Sequence, residues 1–211
     1  MSENQVIVLQ SGYAHEDEID PNAMRANCSC TLIRCRDGNN IIVDTLTAWD
    51  GERLKSLIAE QGLQPDDINV VVCTHGHSDH IGCNYLFQQA RLHIVGSTAS
   101  KHDLYSEYAG ALDTNGEVLL EKTLGHTLSC VSVLIHNSQF DGTTVGVCGD
   151  LFERCQDIDD AQIWKAAGSE DEKQQAEQRY RIAQLCQYIV PGHGTIFKLD
   201  NEMRTKLKKN I

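Results

Sequence analysis

No stretch of this chain approaches the roughly 20 consecutive apolar residues that a membrane-spanning helix needs, so no span and no membrane partner are expected. The opening Met1-Ser-Glu-Asn-Gln has no basic segment ahead of an apolar one, so it does not read as a secretory signal. Nothing Arg-rich and amphipathic suggests mitochondrial import. There is neither an internal repeat nor a low-complexity linker. With 211 residues, 41% of them hydrophobic and 23% charged, the chain reads as one soluble globular domain over 1–211. Basic residues are scarce: 18 Lys and Arg stand against 30 Asp and Glu, a formal net charge of −12. That balance disfavours an extended phosphate-binding surface. The one basic cluster, Arg204-Thr-Lys-Leu-Lys-Lys, has helical spacing and is expected to be a solvated last turn.

Cysteine, in contrast, is plentiful. Nine are scattered at 28, 30, 35, 73, 83, 130, 148, 155 and 186, often inside apolar runs. An odd count without a leader is expected to mean reduced thiols in the cytosol or nucleus. Cys28-Ser29-Cys30 is the one tight pair and reads as small, half-buried strand residues rather than a metal site.

The chemistry concentrates in Thr74-His75-Gly76-His77-Ser78-Asp79-His80. The preceding Asn69-Val-Val-Val-Cys73 is a β-branched apolar run and reads as a buried strand. The following Ile81–Phe87 reads as the first turns of a helix. The ligand-type residues are therefore expected in the crevice at the carboxyl end of a strand. On an extended or tightly looped segment His75 and His77 point the same way, because side chains alternate. Asp79 and His80 fall past the bend and face a second position. Four ligands split two and two predict two neighbouring ions.

Around this segment the chain reads as follows. Residues 5–14 form a strand ending near Gly12, and 15–27 form a polar loop. Residues 30–36 and 40–44 make a hairpin through Asp37-Gly38. Leu54, Leu57 and Ile58 mark a helix over 50–61, and 91–96 is a strand. Residues 98–115 read as a short helix and a polar loop. Apolar runs follow at 117–124 and 130–136, and Asp141-Gly142 leads into a strand over 143–150. Residues 156–172 are poorly patterned, with Trp164 as their single large apolar anchor. A helix over 173–187 and a short strand over 188–191 complete the order. Asp44, at the end of an apolar strand, could orient a metal-bound His or serve as a turn or helix N-terminal carboxylate.

Three more ligand-type residues follow strand-like runs and sit beside glycine: His126, Asp150 and His193. Glycine lets the backbone turn sharply and approach an ion closely. The count then closes. His75, His77 and His126 serve one ion, Asp79, His80 and His193 the other, and Asp150 bridges them. Each ion keeps an open position for a shared water, which is a catalytic rather than a closed structural arrangement. Nitrogen and oxygen ligands without thiolate suit Zn, with Fe and Mn as alternatives. His15, His93, His102 and His136 are read as residues without a chemical role.

Taken together, the HxHxDH segment, Gly125-His-Thr, Gly149-Asp, Pro191-Gly-His-Gly and Ile42-Val-Asp-Thr resemble the metallo-β-lactamase superfamily over nearly the whole chain. The resemblance implies an α/β fold, the αβ/βα sandwich, with two mixed sheets face to face, helices outside and the metals at one edge. Asp150 stands where some true β-lactamases have a Cys ligand, which is similar to the glyoxalase II and RNA-processing branches. The resemblance further implies a glyoxalase II-like fold without the extra domain, and endoribonuclease activity of the histone pre-mRNA 3′-processing kind. The expected enzyme is a dinuclear hydrolase with Asp79 and Asp150 in the reaction centre, an RNA substrate or a small thioester, and cytoplasmic or nuclear placement; a homodimer is compatible with it. Only 18 residues follow His193. That counts against a glutathione-thioester hydrolase, which binds partly through a C-terminal helical domain. The want of an inserted domain and of positive charge likewise counts against the nuclease. A persulfide dioxygenase with one Fe and a non-catalytic binding protein are the remaining alternatives.

Overall fold

The computed structural model describes residues 1–211. The chain enters on β1 (Gln5–Gln10), forms a hairpin from β2 (Tyr13–Glu16) and β3 (Met24–Asn27), and continues through β4 (Cys30–Arg34) and β5 (Asn40–Val43). Helix α1 (Gly51–Glu60) leads to β6 (Val70–Cys73), a single turn α2 (Ser78–Ile81), and strands β7 (Leu92–Val95), β8 (Thr98–Lys101) and β9 (Leu104–Glu107). The second half runs β10 (Gly110–Ala111), β11 (Val118–Lys122), β12 (Val131–Ile135), β13 (Val145–Gly149), α3 (Gln162–Ala166), α4 (Glu172–Leu185), β14 (Tyr188–Pro191), β15 (Phe197–Lys198) and α5 (Asn201–Lys209).

Two mixed sheets result, ordered β1-β4-β5-β6-β7-β8-β9 and β10-β11-β12-β13-β14-β15. The strand alternation decides what each face meets. Ile41, Val43, Val70 and Val72 from the first sheet share one buried cluster with Val131, Val133, Val145 and Val147 from the second, so the sheets pack face to face. The intervening residues point outward. Ile42 and Val71 meet Leu54 and Ile58 of α1. Leu134, Cys148 and Ile189 meet Ile182 and Ala183 of α4 and Leu207 of α5. Covering both faces explains why β5, β6 and β14 read as unbroken apolar runs. The product is the αβ/βα sandwich.

The sequence reading needs correction at four places. Residues 98–115 contain no helix but the strands β8, β9 and β10. Of the residues in β8 and β9 only Ala99 is buried, so a helix there would have no apolar face. The exposed backbone instead pairs onto β7, turning at His102 with φ +54°. Residues 15–27 belong largely to the β2–β3 hairpin, whose mostly exposed side chains carry no alternation signal. The strand expected over 5–14 stops at Gln10 and restarts at Tyr13. Finally, the helix expected over 81–87 breaks. Gly82 N and Cys83 N donate to Leu46 O and Thr45 O rather than continuing a helical ladder. A side chain at Gly82 would overlap the backbone of residues 46–48, so the contact requires glycine.

Eight of the nine cysteines are buried, and all nine are free thiols. Burial pushes Cys28, Cys30 and Cys148 well above the usual thiol range, which makes them packing groups.

Candidate metal centre

Every candidate residue leaves the sandwich at one edge. Asp44 follows β5, the heptapeptide follows β6, Asp150 follows β13 and His193 follows β14. The pairs β5–β6 and β13–β14 are parallel, so these carboxyl ends lie side by side. His126 comes from the loop between β11 and β12. That loop is held from two sides. Val131 N donates to Thr74 O at 2.9 Å, while Asp171 N and Glu170 N donate to Gly125 O and His126 O at 2.9 and 3.1 Å.

Two clusters of ligand-type atoms form: His75, His77, His126 and Asp150, and beside them Asp79, His80 and His193. In the first, His77 Nδ1 lies 2.8 Å from His75 Nε2 and 3.2 Å from His126 Nε2. Asp150 stands between the clusters. Its Oδ2 is 3.5 Å from His75 Nε2 and 3.4 Å from both His126 Nε2 and His193 Nε2, and its Oδ1 is 3.3 Å from His80 Nε2. Asp79 Oδ2 is 3.7 Å from His193 Nε2 and 3.8 Å from His80 Nε2. The structure thus brings together all seven residues singled out from the sequence, in the two-and-two division expected for the heptapeptide.

The far side of most rings is anchored, which fixes the nitrogen that faces inward. His80 Nδ1 lies 3.0 Å from Asp44 Oδ2. His75 Nδ1 lies 3.2 Å from Thr74 Oγ1. His193 Nδ1–H faces the carbonyls of Asn27 and Tyr13 at 3.1 and 3.2 Å. Asp44 itself has φ +59°, a strained setting for a residue with a side chain. It is held there because its carboxylate also accepts Thr74 N at 2.7 Å and Thr74 Oγ1 at 3.0 Å. Of the two roles open to Asp44, orientation of a His is the one its geometry matches. Gly192 lets the turn after β14 close against Asp150, since a methyl group there would overlap Asp150 Oδ1.

The electrostatics favour cations. Burial opposes a charge on Asp150, but His80 and His75 outweigh it and hold the carboxyl well below its usual range. Burial and His80 push His75 down, and burial pushes His126 down, toward the neutral form a metal requires. Asp150 and Asp44 instead overcome burial and hold His80 well above its usual range, so an ion there displaces a proton. Buried His80 Nε2 and Asp150 Oδ1 find no hydrogen-bond partner among the protein's own groups. Converging imidazole lone pairs, a central carboxylate and orphaned polar atoms fit divalent metal ions.

His193 gives this reading a pH dependence. Burial opposes its charge, yet its hydrogen bond to Asp150 and that carboxylate's charge prevail, raising it from 6.5 to about 9. With Nδ1 tied to carbonyls, the proton held below that value sits on the Nε2 that an ion needs. Apparent Zn²⁺ affinity at the Asp79–His80–His193 cluster should therefore rise with pH from 6.5 toward 9, by up to about tenfold per unit. Equilibrium dialysis at pH 6.5, 7.5 and 8.5 checks this, and a flat profile contradicts it.

A pocket of about 560 Å³ opens on the centre, lined in part by His77, Asp79, Asp150 and His193. The β2–β3 hairpin contributes its wall through Ala14, His15, Glu16, Met24 and Ala26. His15, read from sequence as having no role, thus faces the pocket. His93 and His136 are satisfied by Phe87 O and Thr144 Oγ1, each at 2.9 Å. Sequence reasoning missed three supports. Gln175 Nε2 donates to Asp150 O at 2.9 Å. The buried Arg179–Asp157 pair holds the loop after Asp150. Glu153 lines the pocket beside His193 and Arg154. The one available signal was the i+3 position of Glu153 relative to Asp150.

Comparison with known proteins agrees with this geometry. The sequence profile of the metallo-β-lactamase superfamily matches residues 24–109. A Xenopus laevis protein named metallo-β-lactamase domain-containing protein 1 is 33% identical over 203 residues, covering 94% of this chain and 83% of its own length. A hydroxyacylglutathione hydrolase of Nitrosomonas eutropha is 28% identical over 174 residues, covering 77% of this chain and 67% of its own. Among solved structures, a Thermotoga maritima protein described as a metallo-β-lactamase superposes with a TM-score of 0.68 at 18% identity. That match covers 93% of this chain and all of the other. No helix is long and apolar enough to cross a membrane. Fold, clustered ligands and relatives converge: the chain is a metallohydrolase-type member of the metallo-β-lactamase superfamily.

Proposed function

We propose that the chain is a zinc-dependent dinuclear hydrolase whose scissile bond is an RNA phosphodiester. One observation carries the dinuclear half of this reading. Asp150 reaches both clusters with its two oxygens, so each position has a full protein ligand set and a shared carboxylate. Two divalent ions so placed would lower the pKa of a coordinated water toward neutrality and steady the charge that develops on the cleaved ester. The chain's own residues do the rest. His75, His77 and His126 hold the first position. Asp79, His80 and His193 hold the second on the pocket side. Asp44 and Thr74 keep His75 and His80 from rotating. A mononuclear iron dioxygenase would use a single cluster, and it gives the second one no task.

The phosphodiester half rests on the sequence's likeness to the RNA-processing branch of the superfamily. A small thioester is the second reading. It is favoured by the pocket, which is walled by a hairpin and supplied with one arginine, Arg154, rather than a basic track. The similarity to the Nitrosomonas hydroxyacylglutathione hydrolase points the same way. Assaying single-stranded RNA and an acyl-glutathione side by side, with metal content measured in each sample, separates the two. Cleavage of the thioester alone would sink the nuclease reading. Asp79→Ala and His193→Ala should each lose the second ion and all turnover while retaining the fold by circular dichroism. Full activity with one ion left would reject the dinuclear scheme.

A further inference from the structure

One carboxyl group at this centre has no task among the seven ligands. Glu153 is 3% exposed, and its Oε1 lacks any hydrogen-bond partner. Leaving a buried polar atom unpaired is costly, and a fold tolerates it where a ligand completes the site. The side chain lines the pocket together with Asp79, Asp150 and His193. Its carboxylate lies within 4.8 Å of ligand-type atoms of Asp150 and His193, so that these two residues belong to two overlapping groups. The backbone of Glu153 is pinned at both ends. Its N–H donates to Asp157 Oδ2 at 2.7 Å, and its carbonyl accepts His193 N at 2.8 Å. The main chain thus secures the loop, and Oε1 has no protein partner to keep.

We propose that Glu153 supplies a further oxygen ligand to the second ion, on the side of Asp150 and His193 that opens into the pocket. This rests on the two-ion reading above. It makes the two positions chemically unequal. The first has three imidazoles and the shared Asp150. The second has two imidazoles, His80 and His193, against three carboxylates, Asp79, Asp150 and Glu153. Imidazole suits zinc and iron, while carboxylate oxygen suits harder ions such as manganese. The second position therefore accepts Mn²⁺ more readily than the first.

Equilibrium dialysis of the full-length chain against Zn²⁺ alone and Mn²⁺ alone, with elemental analysis, tests this. The unaltered chain should bind two Zn²⁺. Glu153→Gln keeps the shape and removes the carboxyl oxygen that can ionise when an ion binds. It should weaken the second Zn²⁺ by at least about tenfold, abolish Mn²⁺ uptake, leave the first Zn²⁺ unchanged, and leave the unfolding temperature of the metal-free protein unchanged. Glu153→Asp should fall between the two. An unchanged second Zn²⁺ in Glu153→Gln overturns the proposal. So does a weakened first ion or an earlier unfolding of the metal-free variant, either of which would assign Glu153 to packing. If the unaltered chain binds a single Zn²⁺, the two-ion reading fails and takes this inference with it.

Discussion

Asp150→Ala should bind fewer than two ions and lose turnover by more than the roughly 10–100-fold that partners outside the metal's direct ligands typically cost. The reason is positional. Asp150 is the one side chain with an oxygen within 3.5 Å of His75, His126, His80 and His193 together. Removing it takes a ligand from each cluster at once, whereas removal of Asp79 or His193 reduces only the second. The fold should survive. Gln175 holds the carbonyl of residue 150 rather than its carboxylate, and an alanine keeps that bond. The turn at Gly192 leans on the carboxylate and would gain room. Elemental analysis and a turnover assay on the same preparation decide the matter. Two bound ions with an unimpaired rate would remove Asp150 from the centre.

Arg179→Met should lower the stability of the chain by about 3–5 kcal/mol, because it leaves a buried carboxylate without its counter-charge. Arg179 and Asp157 are 1% and 0% exposed. The guanidinium grips the carboxylate with both terminal nitrogens, Nη1 to Oδ2 at 2.9 Å and Nη2 to Oδ1 at 2.5 Å, and also donates to Leu151 O at 2.7 Å. Its plane packs at 4.4 Å over Phe152 and 5.3 Å over Trp164. Trp164, the lone anchor of a poorly patterned segment, is therefore buried against a charge. The expected fall in unfolding temperature is roughly 6–20 °C for a chain of this size. Lys206, which pairs with Asp159 and Glu202 on the surface, is the contrast. Water already solvates those charges, so Lys206→Ala should leave the unfolding curve in place. Equal effects in the two variants would show that burial of the Arg179 pair carries no special weight. Asp157 also accepts Glu153 N. Arg179→Met should for that reason loosen the loop that carries Asp150 and Glu153 as well as the core.

The seven candidate ligands were legible because each lies in a segment that follows a strand end, and six of them next to a glycine or within two residues of one. A metal site needs several ligand types at short spacing, which residue order reports directly. The β5, β6 and β14 runs were legible for a related reason. Strands covered on both faces must be apolar throughout. Residues 13–27 and 98–111 were not legible. Their strands are mostly exposed, so their side chains carry no period, and only the backbone of a neighbouring strand specifies them. Nor could the helix break at Gly82 be read locally. Its cause is the loop at residues 45–48, more than thirty positions earlier.

Residue order, then, pointed to the superfamily, the candidate ligand set and the division of the heptapeptide into two pairs, because these depend on chemical type and spacing along the chain. Only the folded arrangement put Asp150, expected as the bridge, within reach of both clusters, chose for Asp44 the role of turning His80 inward, and revealed that Glu153 and Arg179 belong to the same edge. Those relations join β5, β6, β13, β14 and α4 across long sequence separations. Distance between residues remote in the chain is set by how sheets and helices pack, and no local pattern encodes it.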